Sequence, residues 1–191
     1  HRARGLRRWL LRRLGDARHA EACRTAGHVI AVNEELAEDA RRHGATSVHV
    51  LSNAPRLLPS ATDDAPVERS PDRLIYVGGL SAPRGLGTLL EAFATIRREH
   101  PAAELELIGP AVDAEARDRL AHPPEGVQVR GPRPPAEAID RMRQASVGLI
   151  PFERVVHYRG RPVKLLEYAA AGLAIVSTSG GPKQQWILGH E

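Results

Sequence analysis

Residues able to do chemistry gather at two places in this chain. The first is the pair Gly78-Gly79, followed a few positions later by Arg84. Without a Cβ, a glycine lets a ligand approach the backbone, and the planar fork of an arginine suits phosphate oxygens. The second is Val163-Lys164-Leu165-Leu166-Glu167, which reads as the opening of a helix. A helix start offers unpaired N–H groups and the positive end of a dipole, again favouring phosphate. Glu167 lies a turn too far in to cap that end, and its carboxylate can accept hydrogen bonds from two neighbouring hydroxyls, such as those of a ribose. Taken singly, Arg84, Lys164 and Glu167 read as ordinary surface charges. Brought together at the strand ends of one sheet, they point to a nucleotide diphosphate.

The elements that would position them alternate regularly. Strands are expected at 74–77, 105–108, 127–129, 147–150 and 173–177, and helices at 85–99, 113–121, 135–144 and 163–171. The helix after Gly85 places Leu86, Leu89, Leu90, Phe93 and Ile96 on one face. Strands alternating with helices at this spacing predict a parallel, doubly wound sheet. Such sheets bind ligands beyond the C-terminal strand ends, which here carry Gly78-Gly79, Gly109-Pro110, Gly131-Pro132, Pro151 and Thr178-Ser179-Gly180-Gly181. Upstream, strand 29–32, a helix capped by Asn33 and stopped at Gly44, and strand 48–51 make a strand-helix-strand unit. Between them the chain shifts to four prolines over 55–71, with no sustained periodicity, and reads as a linker or crossing loop.

Composition narrows the class. The chain has 191 residues, 42% hydrophobic and 26% charged, so it is neither disordered nor collagen-like. With 2 Trp, 3 Tyr and 2 Phe, its core must be aliphatic. The single cysteine, Cys23, excludes a disulfide framework and a cysteine zinc cluster. There is no apolar run long enough for a membrane span and no opening signal peptide, so a cytoplasmic location is expected. Dinucleotide, P-loop, His-Glu-x-x-His and nucleophile-elbow motifs are all missing. The nine histidines look scattered, and no metal site is expected.

The net charge of +4 is a terminal feature. Residues 1–26 hold eight arginines against Asp16 and Glu21, which leaves the remainder slightly acidic and argues against a nucleic-acid-binding face. Leu6, Trp9, Leu10 and Leu14 recur there at helical spacing. The favoured reading is a solvated amphipathic helix packing on a core, and the sharper one is contact with an anionic membrane surface.

The stretch Tyr76-Val77-Gly78-Gly79-Leu80-Ser81-Ala82-Pro83-Arg84-Gly85-Leu86-Gly87-Thr88-Leu89-Leu90-Glu91-Ala92-Phe93 and the segment from Lys164 to Val176 resemble the retaining family-4 glycosyltransferases. The resemblance implies an α/β fold of GT-B type: two Rossmann-like doubly wound parallel-sheet domains, both incomplete in this chain. Residues 1–56 would be the tail of the acceptor-side domain, 57–72 the linker, and 73–191 a nucleotide-sugar-binding domain truncated at its end. Arg84 and Lys164 are implied as the catalytic cations at the donor diphosphate. Gly78, Gly79, Arg159, Gly160, Val163 and Glu167 are implied in donor binding, with Val129, Arg130 and Gly131 along the nucleobase. Three positions depart from the family pattern: Gly79 stands for a common Arg, Arg159 for the first Glu of the Glu-x7-Glu motif, and Pro162 for a glycine. Arg159, Arg161 and Lys164 could compensate electrostatically.

The implied reaction is retaining, metal-independent transfer of a hexose from a nucleotide diphosphate to an acceptor hydroxyl, in polysaccharide or glycoconjugate synthesis. It needs no cofactor beyond the donor; the acceptor is a sugar, a lipid-linked group or another hydroxyl. An epimerase of the same architecture and a non-catalytic nucleotide-binding module are the alternatives. The 191 residues alone are expected to bind nucleotide weakly at most, to transfer no sugar, and to be poorly soluble through Ile175 and Trp186-Ile187-Leu188.

Overall fold

The structure, a computed structural model, describes residues 2–55, 67–151 and 163–178, with side chains from Arg13 onward. Arg159, Gly160, Arg161, Pro162, most of the expected linker, the Trp186-Ile187-Leu188 patch and the side chains of Leu6, Trp9 and Leu10 lie outside the described residues. The described chain divides into two compact units, the first ending at Asn53 and the second starting at Ala54.

The first unit comprises α1 (Arg2–Thr25), β1 (Val29–Ala31), α2 (Glu34–Arg42) and β2 (Val48–Val50), with β1 and β2 paired in parallel. Asn33 caps α2 as expected, its side-chain oxygen accepting from the Leu36 N–H at 2.9 Å. The core is small: Cys23, Ala40 and Ala45 are buried together, with Val29 and Val48 packed against them. The described part of α1 departs from the packed amphipathic helix expected of it. Leu14 is 57% exposed, and the helix is buried only at Cys23, near its C-terminal end.

The second unit runs β3 (Arg73–Val77), a 3-10 turn (Ala82–Arg84), α3 (Leu86–Glu99), β4 (Glu104–Ile108), α4 (Ala114–Ala121), β5 (Val127–Gly131), α5 (Pro135–Gln144), β6 (Val147–Ile150), α6 (Val163–Ala170) and β7 (Ala174–Ser177). All strands are parallel, in the order β5-β4-β3-β6-β7. This is the doubly wound α/β arrangement that the alternation predicts.

Period-two alternation distributes the core over both faces of the sheet. Leu105 and Leu107 of β4 pack with Leu86, Leu89, Leu90 and Phe93 of α3 on one face. Ile75 and Ile108 pack with Met142 of α5 and Leu165 and Tyr168 of α6 on the other. Each such side chain, fully buried, contributes about 1.5–3 kcal/mol, so α3 is held by its apolar stripe.

Chain order reverses at β3: successive strands add on one side through β4 and β5, then on the other through β6 and β7. At that switch point β3 and β6 pair only at their beginnings, Leu74 with Val147 and Ile75 with Gly148. Tyr168 fills the divergence that follows. Its ring lies where a side chain at Gly148 would stand, and its hydroxyl accepts the Val77 N–H at 3.0 Å. A fully buried phenol thus replaces a missing sheet hydrogen bond, and its burial raises its pKa well above the ordinary range. The strands part there, which opens a crevice at their C-terminal ends.

Candidate donor site at the switch point

Gly78 follows β3 directly with φ +137°, a backbone conformation that side-chain-bearing residues rarely adopt. The chain is pinned on both sides of it. Gly78 N donates to the Ile108 carbonyl at 2.8 Å, and Leu80 N to the Pro110 carbonyl at 2.8 Å. The 3-10 turn carrying Arg84 follows at once, and Asp113 ties it down. One carboxylate oxygen accepts the Ala82 N–H at 3.1 Å, while the other caps α4 through the Ala116 N–H at 2.7 Å. The sequence pattern puts Asp113 inside that helix; it is the cap instead. Gly85, at φ +79°, then turns the chain into α3, and a Cβ there would overlap the Pro151 carbonyl at the end of β6. The loop is therefore braced from β4, α4 and β6.

Four predicted residues, Gly78, Gly79, Arg84 and Lys164, meet on this brace. Lys164 extends its ammonium to 3.5 Å from the centroid of the Tyr76 ring, a cation–π contact. The same Nζ lies 3.1 Å from where a side chain at Gly78 would begin. The Tyr76 hydroxyl donates to the Gly79 carbonyl at 3.0 Å, and Arg84 lies near enough to favour its ionised form. An Arg84 terminal nitrogen lies 3.1 Å from the space a Gly79 side chain would take. Two basic side chains thus flank two glycines, where added Cβ atoms would crowd the ends of Arg84 and Lys164. Burial and the neighbouring Arg84 push the Lys164 ammonium down to about 7, with Glu167 pulling the other way. Tyr76 is displaced upward by burial, opposed by Arg84. Tyr76 went unnoticed in the sequence as a site residue, although an aromatic residue two positions before a glycine pair at a strand end was the available signal.

Val163 opens α6, and Glu167 sits one turn beyond it, beside Lys164, so both occupy the places expected of them. Strand β5 runs past its expected end at Val129: Arg130 belongs to it, and Gly131, φ +67°, is its last residue. Arg130 is the extra residue of a β-bulge, since Leu107 pairs with Val129 and Ile108 with Gly131. Its Nε donates to Glu106 at 3.1 Å, and Glu106 is only 1% exposed. That side chain is thus spent on a buried carboxylate over the sheet. Val129 is exposed, and the position of a Gly131 side chain is open space, so the backbone there is accessible.

The glycosyl transferases group 1 family model matches residues 71–189, well over half the chain. The chain belongs to this family. A comparison with curated proteins returns no match. Solved structures similar to this group 1 chain include AviGT4, a glycosyltransferase involved in avilamycin A biosynthesis, at TM-score 0.56 and 20% identity over 85% of this chain and 49% of that one. Another is the pneumococcal O-GlcNAc transferase GtfA, in complex with UDP and GlcNAc, at TM-score 0.63 and 17% identity over 87% of this chain and 32% of that one. HepE of Anabaena, in complex with UDP and glucose, gives TM-score 0.59 and 18% identity over 86% of this chain and 47% of that one. The group 1 chain therefore spans half or less of these structures, and covers part of the GT-B fold. Among its described residues no helix is long and apolar enough to cross a membrane.

Proposed function

We propose that the second unit holds a nucleotide diphosphate sugar, and that the protein transfers the sugar, a hexose, to an acceptor hydroxyl with retention at the anomeric carbon. The observation carrying this reading is the Arg84–Tyr76–Lys164 cluster against Gly78 and Gly79, at the point where β3 and β6 part. Two cations brought this close repel each other, and a diphosphate between them relieves the repulsion. Glu167, on the next turn of α6, would take the ribose hydroxyls, and the exposed backbone around Val129 and Gly131 would flank the base. Nucleoside diphosphates bound to GtfA and HepE support the donor class.

In the reaction the bond between the anomeric carbon and the diphosphate oxygen breaks, the acceptor oxygen takes its place on the same face, and the hydroxyl proton is released. Negative charge grows on the leaving diphosphate, where Arg84, Lys164 and the start of α6 are aimed. Those groups supply the charge a metal would, so donor binding is expected to survive chelation. Synthesis of a polysaccharide or glycoconjugate is the role we assign, with α1 resting on an anionic membrane face through its basic residues. Calorimetry with UDP, UMP and uridine tests the site: UDP should bind most tightly, and equal affinity for UDP and uridine would refute a diphosphate cradle.

A further inference from the structure

Away from the donor site, two residue pairs at i,i+4 spacing come together in the first unit: His19 and Cys23 on α1, and Asp39 on α2 with His43 at its C-terminal cap. His19 Nε2 lies 3.2 Å from Asp39 Oδ2, His43 Nδ1 lies 3.8 Å from the same oxygen, and Cys23 Sγ lies 3.8 Å from His19 Nε2. One ligand atom from each of His19, Asp39 and His43 falls within 4.8 Å of the others. Tetrahedral zinc, with bonds of about 2.0–2.3 Å, holds its ligand atoms roughly 3.3–3.7 Å apart. The contacts of 3.2 Å and 3.8 Å lie close to that range; the His19, Asp39 and His43 ligand atoms would draw in from a span of up to 4.8 Å, and Cys23 would join them through its contact with His19.

We infer that His19, Cys23, Asp39 and His43 form a structural site for a divalent transition metal of the zinc type, clamping α1 to α2. The donor set of two imidazoles, one thiolate and one carboxylate suits zinc or cobalt and not the hard cations magnesium or calcium. Asp39 is oriented for single-oxygen ligation. Its Oδ1 accepts from Arg42 at 3.2 Å, which leaves Oδ2 facing both imidazoles. Asp39 and Cys23 are 8% and 4% exposed, so two ligands are sheltered while His19 gives entry from solvent. Metal would displace the hydrogen bond between His43 Nδ1 and the Asp39 carbonyl, but that carbonyl keeps the His43 backbone N–H at 3.1 Å. A clamp also answers a need, because the cluster described beneath these helices is small: Cys23, Ala40 and Ala45 with two half-buried valines. Sequence inspection missed the site because each pair looks unremarkable until the two helices are laid side by side.

Cobalt(II) titration of the reduced chain, followed by absorption, tests this. One equivalent should give the intense visible bands of tetrahedral cobalt with a thiolate charge-transfer band in the near ultraviolet. The chain has one cysteine, so that band can arise only from Cys23. Zinc should displace the cobalt, and affinity should rise with pH as the ligands lose protons. Cys23→Ser should abolish the charge-transfer band, and His43→Ala should weaken cobalt binding at least about tenfold. Weak octahedral spectra, absence of the thiolate band in the unsubstituted chain, or the same affinity in a folded His43→Ala variant would each reduce the cluster to an ion pair around a buried aspartate. UDP binding serves as the control and should be unchanged by zinc.

Discussion

Arg84 and Arg130 sit beyond or near the C-terminal ends of strands of one sheet, and the sequence offers both as donor-binding residues. Structure separates them. Arg84 is exposed on a braced 3-10 turn and acts electrostatically on both Lys164 and the Tyr76 phenol. Arg130 is folded over β4 onto Glu106, with Arg141 approaching the same carboxylate at 3.7 Å. One arginine is held in surplus charge, the other neutralises a charge that the fold has buried. Surplus positive charge held in place costs stability and is kept where an anion is to arrive; neutralised charge serves the fold.

Opposite outcomes on turnover and stability are the sharpest way to break this comparison. In a longer chain carrying both facing domains, Arg84→Ala should lower kcat about 10²–10³-fold, by analogy with loss of one oxyanion donor, without lowering thermal stability. Arg84→Lys should recover only part of the rate, because a point charge lacks the fork. Near-normal turnover of Arg84→Ala would remove Arg84 from the chemistry.

Arg130→Ala should do the reverse. Stranding the Glu106 carboxylate ought to cost about 2–3 kcal/mol, below the upper range for a broken buried pair because Arg141 remains nearby. Urea unfolding measures this directly, and UDP affinity of the folded variant should stay within about twofold. A large loss of UDP affinity at unchanged stability would return Arg130 to the donor site.

The same contrast shows what was legible in the sequence. The strand-helix alternation, the α3 stripe and the Asn33 cap follow from local pattern, and all three stand in the structure. Arg84 and Lys164 were legible because glycine pairs and helix starts are local signals for close approach and for anions. The Arg130–Glu106 contact was not legible because the partner is 24 residues away and the bulge that makes room for it exists only in the paired sheet. Tyr168 replaces a sheet hydrogen bond at the strand divergence, and nothing local marks where two strands will part. The solvent exposure of Leu14 was equally hidden, since periodicity shows a face but not whether anything covers it.

Glu167 sharpens the comparison from the carboxylate side. Where Glu106 is buried to hold an arginine, Glu167 is half-buried on α6 next to the cationic pair. Glu167→Ala should weaken UDP binding about tenfold to a hundredfold, the worth of hydrogen bonds to a charged acceptor, roughly 1.5–3 kcal/mol. 2′-Deoxy-UDP should bind the unsubstituted protein more weakly but lose little further in the variant. Equal losses for both nucleotides would place Glu167 elsewhere than on the ribose.

The smallest effect concerns Lys164 and isolates the surplus charge itself. Its ammonium is held down to about 7, burial being the larger cause and Arg84 the second. In the free protein it is therefore protonated at pH 6 and largely neutral at pH 8. A bound diphosphate favours the cation and raises that pKa, so above pH 7 each binding event must draw a proton from solvent. UDP affinity should accordingly be level below pH 7 and fall above it, by at most about tenfold per pH unit. Calorimetry in two buffers of different ionisation enthalpy would register the uptake at pH 8 and its disappearance at pH 6. The linkage to folding has the opposite sense. A lysine whose pKa is lower folded than unfolded binds more protons when unfolded, so stability gains from this residue as pH rises from 7 toward its ordinary value. Lys164→Met should then raise the melting temperature near pH 6 while weakening UDP binding, and should erase the proton uptake. No uptake in the unsubstituted protein at pH 8 would mean that the diphosphate does not meet Lys164, leaving Arg84 to hold the anion without it.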